Sequence, residues 1–193
     1  QGVAFACRHF NVNGNIFMPV TTPKQKIDKT VAFGGKNIEV KLIGDYFDKT
    51  LESAIQFCKE ENSEFLSPFD SLSVIEGQAT VMSELIDQME SIGVPDKILL
   101  AVGGGGLSSG MTKYATALKL KTKFTLVEPE GAASLTGALA KGVQVTLKNV
   151  NNFVDGAAVA RIGDKNFEIL KKHPKNHVIL SPEDRVCDTM LEM

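Results

Sequence analysis

Four consecutive glycines, Gly103, Gly104, Gly105 and Gly106, stand directly behind the apolar run at residues 98–102 and directly before a segment whose apolar residues recur at helical spacing. Each glycine gives up more backbone entropy on ordering than any other residue, so a run of four is costly in a packed domain. It makes sense where the chain needs positive φ angles and where a ligand must touch bare backbone. At the carboxyl end of a parallel strand, with a helix amino terminus behind it, backbone amides point outward and the helix dipole favours an anion. The octapeptide from Gly103 to Gly110 (GGGGLSSG) therefore predicts a strand–loop–helix unit that cradles a phosphate. A flexible turn is the plainer alternative.

The rest of the chain agrees with that unit. Short apolar runs at residues 16–18, 38–43, 65–66, 98–102, 124–127 and 178–180 read as strands. Phe47, Leu51, Ala54, Ile55 and Cys58 form one helical face, with Asp45 and Asp48 placed to favour its positive amino end. Val81, Met82, Leu85, Ile86 and Met89 form a second, and Leu107, Met111, Tyr114, Ala115 and Leu118 a third. Val3, Ala6, Cys7 and Phe10 give a further helical face at the start, and Val186, Met190 and Met193 another at the end. Strands alternating with helices imply an α/β protein of parallel sheets covered by helices. The turn-rich stretch 67–73 is the expected passage between two lobes, and residues 148–155 lack periodicity.

Composition removes several classes. A net charge of -2 offers no electrostatic footprint for nucleic acid or an anionic membrane. No apolar run approaches the roughly 18 residues that span a bilayer. Cys7, Cys58 and Cys187 are sparse, odd in number and without a CxxC pair, which reads as reduced thiols in a cytoplasmic protein. Both ends look cut: there is no initiator Met, and apolar helical faces start and stop without caps. The expectation is a piece of a longer protein.

Three phosphate or catalytic readings compete at the loop. No Gly-Lys-Ser/Thr follows, which argues against a nucleotide triphosphate loop. A dinucleotide fingerprint fits at Gly103, Gly105 and Ser108 without its third glycine, with Glu128 in the place of the ribose-binding acid. A hydrolase reading takes Gly106, Ser108 and Gly110 as GxSxG, with Asp155 and His173 or His177 following. Its nucleophile would sit inside a helical turn rather than on a sharp elbow. The two histidines flank Pro174 in a Lys-rich segment, which suggests a solvated loop.

The fuller match is a resemblance. The glycine loop with Leu107, followed one strand later by Val127-Glu128-Pro129 and Ala132, resembles the fold type II pyridoxal-phosphate enzymes, a group that includes serine and threonine dehydratases and serine racemase. Ile16-Phe17-Met18-Pro19, Thr22-Pro23-Lys24, Gly44-Asp45-Tyr46-Phe47-Asp48, Pro68-Phe69-Asp70 and Gly77-Gln78-Ala79-Thr80 look like that family in order and spacing. The run from Phe153 through Asp155-Gly156-Ala157 to Arg161-Ile162-Gly163-Asp164 is close to the biosynthetic threonine deaminases in particular.

The resemblance implies a tryptophan synthase β-like architecture, incomplete here: residues 1–70 as most of a small lobe, and 71–193 as part of a large, cofactor-binding one. It implies pyridoxal 5'-phosphate held by Gly103, Gly104, Gly105, Gly106 and Leu107, with Gly156 along the cofactor face. It further implies L-threonine as substrate, L-serine being the alternative, with 2-oxobutyrate and ammonia as the products of the intact parent. A place in isoleucine biosynthesis, a homo-oligomeric assembly and a cytoplasmic location come with it. The family's Schiff-base lysine precedes a loop whose tail looks like Gln1-Gly2-Val3-Ala4. The catalytic lysine is therefore expected before residue 1, no residue of this chain is assigned a catalytic role, and the chain alone is expected to be inactive. Glu128, Ala132 and Ser134 align with a divalent-metal site of serine racemases whose last position is an Asp. Ser134 departs from it, so Glu128 is taken as a surface or ribose-type acid and no metal is assigned. Pro68-Phe69-Asp70 is expected to be a packed turn near the site.

Overall fold

All five strands of the computed structural model, which describes residues Gln1–Met193, pair in parallel. They form a two-stranded and a three-stranded sheet, and the chain divides into two compact units, Gln1–Phe65 and Leu66–Met193.

In the first unit, β1 (Gly14–Met18) pairs with β2 (Ile38–Leu42) in the register Gly14↔Ile38. Three helices accompany them: α1 (Gly2–His9), α2 (Lys24–Gly34) and α3 (Phe47–Glu60). No apolar period marks α2, whose segment carries Ile27, Val31 and Phe33 among Lys24, Lys26, Asp28 and Lys29. It runs from Pro23 to Gly35, whose φ of 55° ends it. At Gly14 in β1 a Cβ would lie 2.6 Å from the Cys7 Sγ, which would have to move. The helix-end placement expected of Asp48 holds, since it stands in the first turn of α3. Asp45 lies ahead of α3, and Asp48 in its first turn has a carboxyl pKa raised by burial and by the like charge of Glu52.

The second unit holds β3 (Lys97–Ala101), β4 (Lys123–Pro129) and β5 (Val178–Ser181) in that spatial order. Its helices are α4 (Leu72–Gln88), α5 (Gly106–Ala117), α6 (Ser134–Lys141), α7 (Asp164–Leu170) and α8 (Glu183–Glu192). Its core joins Met82, Leu100, Met111, Leu126, Leu135 and Phe167. The opposite face of the sheet is open: Lys97, Leu99 and Ala101 are exposed. Helices α4 and α5 cross closely at Gly110, where a Cβ would meet the Ile75 carbonyl oxygen at 2.5 Å.

No strand forms at residues 65–66. Two residues between polar Asn62-Ser63-Glu64 and Pro68 are too few to hold a ladder, and no neighbouring strand adopts them. The turn that follows is ordered by its serines. Ser67 Oγ accepts from the Asp70 amide at 2.9 Å, and Ser71 Oγ caps α4 by accepting from the Val74 amide at 3.2 Å. Residues 148–155 form neither helix nor strand, as their lack of period suggests.

Candidate anion site at the carboxyl end of β3

Strand β3 delivers the chain to the glycine run, and the Val102 amide continues the ladder by donating to the Val127 carbonyl at 2.8 Å. The loop then turns at Gly105, whose φ of 91° lies in the left-handed region, and α5 starts at the next residue. A peptide group is planar and trans, so its C=O and N–H point in opposite directions. The Gly104 carbonyl is turned inward, accepting from the Gly163 amide at 3.2 Å and from Asn166 Nδ2 at 3.0 Å. The Gly105 N–H of the same peptide therefore faces outward. The Gly105 carbonyl accepts from the Ser109 amide at 2.9 Å, along the helix. By the same geometry the Gly106 N–H points out of the helix amino terminus. Neither amide donates to a carbonyl of the chain.

Each loop glycine is also closely backed from behind. A Cβ on Gly103 would lie 3.1 Å from the Ala157 Cα, and one on Gly104 would overlap the Phe69 ring. On Gly105 it would meet Ile162 Cδ1 at 2.7 Å and Asn166 Cβ at 3.0 Å, and on Gly106 the Phe69 Cβ at 3.1 Å. The glycines thus let the loop lie flat on its own scaffold while its amides face away.

That scaffold was not legible in the sequence. Asp70 spans the start of α7, its carboxylate accepting from the amides of Asp164 and Lys165 at 2.9 Å each and of Asn166 at 3.3 Å. Asn166 is fully buried and also donates to the Phe69 carbonyl at 2.8 Å. The two segments are more than ninety positions apart in sequence. Gly163 followed by an acidic residue hints at a helix start, but nothing local names its cap. Pro68-Phe69-Asp70 is indeed a packed turn beside the loop. Gly156 precedes Ala157, the residue against Gly103, and a Cβ on Gly156 would meet nothing within 4 Å.

Two rival readings lose their residues here. Glu128 is fully buried rather than a surface or ribose-binding acid. Its oxygens accept from the Leu135 amide at 2.7 Å and from the Thr136 amide and hydroxyl at 2.8 and 2.6 Å, holding the start of α6. Burial raises its pKa above the ordinary 4.5, against the opposing pull of those three donors. Ser108 is fully buried as well, its Oγ 3.5 Å from the Ala101 carbonyl oxygen. His173, expected in a solvated loop, is half-buried, with Nε2 3.0 Å from the Phe124 carbonyl oxygen and a pKa lowered by burial. Phe124 pairs with Ile98 at the beginning of the strands, whereas Ser108 lies beyond their far end. Ser108 Oγ lies beside the Ala101 carbonyl, and the three strand steps from Ile98 to Ala101 separate the two levels by about 10 Å, too far for a nucleophile and its base.

The family model described as pyridoxal-phosphate dependent enzyme matches residues 1–193, the whole chain. The chain belongs to that family.

Members of the pyridoxal-phosphate dependent enzyme family most similar to it include the protein named L-threonine dehydratase biosynthetic IlvA of Staphylococcus aureus (strain bovine RF122 / ET3-1). That relative is 44% identical over 195 residues, covering 100% of this chain and 46% of its own length. The protein of the same name from Bacillus subtilis (strain 168) is 41% identical, covering 100% of this chain and 45% of its own length. The chain thus spans about half the length of the curated relatives it matches. Among solved structures, the processed form of threonine deaminase isoform 2 from Solanum lycopersicum superposes with a TM-score of 0.80 at 36% identity, over 94% of this chain and 51% of that one. The T.th. threonine deaminase superposes with a TM-score of 0.83 at 29% identity, over 97% of this chain and 60% of that one. The fold is accordingly that of the type II pyridoxal-phosphate enzymes, and pyridoxal phosphate is the family's cofactor. The residues present fit its phosphate: two glycine amides at a helix amino terminus that donate to no carbonyl of the chain.

Proposed function

We propose that this chain is the phosphate-holding part of an L-threonine dehydratase, converting L-threonine to 2-oxobutyrate and ammonia, and that the route it serves is isoleucine biosynthesis. One observation carries the reading beyond the likeness to named threonine dehydratases: the inward Gly104 carbonyl that turns the Gly105 N–H outward, beside the Gly106 N–H of α5. Bound pyridoxal phosphate supplies the electron sink that lets an amino acid lose its α-proton and then its β-hydroxyl. The chain's own residues do the holding. The backbone from Gly103 to Leu107 surrounds the phosphate, each charge-assisted hydrogen bond contributing about 1.5–3 kcal/mol. The amino-terminal dipole of α5 adds about 2 kcal/mol at most. Gly156, without a side chain and in open space, leaves the cofactor face clear.

These terms only offset the roughly 4–15 kcal/mol lost on association, so a second anchor is required. We place the Schiff-base lysine upstream of Gln1, and with it the step that moves the α-proton. The 193 residues alone are then inactive, and the working protein is a cytoplasmic homo-oligomer. The test is borohydride reduction of the protein expressed from its natural gene, followed by peptide mapping. A pyridoxyl group on a lysine upstream of Gln1 is expected. A pyridoxyl group on a lysine within this chain, or threonine-dependent 2-oxobutyrate release by the isolated chain, would overturn the assignment of the second anchor.

A further inference from the structure

We infer that Asn166 is a positioning residue for cofactor binding: it fixes the plane of the Gly104–Gly105 peptide and thereby aims the Gly105 N–H at the phosphate. This rests on the phosphate reading of the glycine loop.

The side chain of Asn166 is fully buried and has two donor hydrogens. Its Nδ2 lies 2.8 Å from the Phe69 carbonyl oxygen and 3.0 Å from the Gly104 carbonyl oxygen, so both hydrogens are engaged at once. Its own backbone is fixed in turn, with the amide held by Asp70 and the carbonyl oxygen 3.5 Å from Ser109 Oγ in the first turn of α5. The side chain therefore cannot follow the loop if the loop rotates. A glycine peptide flanked by another glycine has no steric preference to keep it in one plane, and here two hydrogen bonds to one oxygen supply that preference. They also polarise the peptide, because a carbonyl that accepts strongly makes the N–H on the same group a stronger donor. The Asn166 Oδ1 is buried with no partner. No catalytic contact is implied, since Asn166 sits behind the loop and acts through Gly104.

The test is made on the full-length protein from its natural gene, resolved of cofactor and titrated with pyridoxal phosphate. N166A should bind about tenfold more weakly, the equivalent of roughly one lost charge-assisted hydrogen bond, and the phosphorus resonance of the bound phosphate should shift. The comparison variant is L139A, which truncates the buried core residue Leu139 of α6. It should lower the melting temperature yet keep the wild-type phosphorus shift and an affinity within about twofold of wild type. Wild-type affinity and phosphorus shift in N166A would overturn the inference and leave the loop reading standing, as would equal weakening in L139A. A wild-type protein that takes up no pyridoxal phosphate would overturn the loop reading itself. Should N166A not fold, amide exchange in the wild type decides. The Gly105 amide, on a buried residue, is expected to exchange more slowly with cofactor than without it. An exchange rate that cofactor leaves unchanged would mean that this N–H does not meet the phosphate, against the inference.

Discussion

A methyl group on Gly104 has nowhere to go except into the Phe69 ring. G104A is therefore expected to cost about 1–3 kcal/mol through overpacking, and to weaken pyridoxal-phosphate binding because the displaced loop loses its amide geometry. Gly156 offers the contrast: a Cβ there meets open space. On the proposed placement of Gly156 along the cofactor, G156A should lower cofactor affinity while changing stability by less than about 0.5 kcal/mol. Urea denaturation and cofactor titration of the two variants check both halves of the comparison. At this scale the sequence was informative about which glycines matter and incomplete about why. The run from Gly103 to Gly106 reads from composition as a strand–loop–helix unit, and β3 and α5 stand on either side of it. That Phe69, Ala157, Ile162 and Asn166 press on the same glycines from behind depends on contacts between distant segments, which no local pattern encodes.

Helices α6 and α7 show the same gap at the level of elements. Their starts are held from outside: α6 by Glu128, seven positions upstream on β4, and α7 by Asp70, 94 positions before the first amide it accepts from. Capping signals are read from residues adjacent to the helix, so neither short helix was legible, whereas α4 and α5 declared themselves by their apolar spacing. D70A is expected to cost about 1–2 kcal/mol, the usual scale for losing a helix cap, as measured by denaturant unfolding. Glu128 adds a pH dependence. Its folded pKa lies above the unfolded 4.5, so in that window the folded chain binds more protons and stability falls as pH rises. The loss starts near pH 4.5 and is complete once pH has passed the folded pKa, beyond which this contribution no longer changes. Unfolding free energies measured from about pH 4 to 7 should show this slope in the wild type and lose it in E128Q. E128Q is itself less stable than the wild type, because its amide nitrogen faces N–H and O–H donors that a carboxylate oxygen accepts.

Over the whole molecule the alternation of strands and helices was enough to give parallel α/β architecture, and the open face of the three-stranded sheet was not foreseen. Exposed Leu99 and Ile179 occupy strand positions that read as buried by apolarity alone. The two units differ in how much they bury. Ala4, Cys7 and Ala54 are the buried apolar residues of the first, while the second joins thirteen into one cluster. Local opening should follow that difference. Amides of β1 and β2 are expected to exchange faster than those of β3, β4 and α5, and hydrogen exchange with mass spectrometry checks the order. Slower exchange in β1 and β2 would contradict it.

The overlap between Gly104 and Phe69 also bears on inheritance. A descendant of this chain cannot acquire a side chain at 104 by one mutation without disturbing the loop, nor can it shrink Phe69 without opening a void beneath it. A coordinated pair, a smaller residue at 69 with alanine at 104, relieves the overlap, whereas alanine at 104 alone meets the ring and a smaller residue at 69 alone leaves a void. The two sites are thus coupled by packing, and a change at one is expected to be accepted only with a matching change at the other.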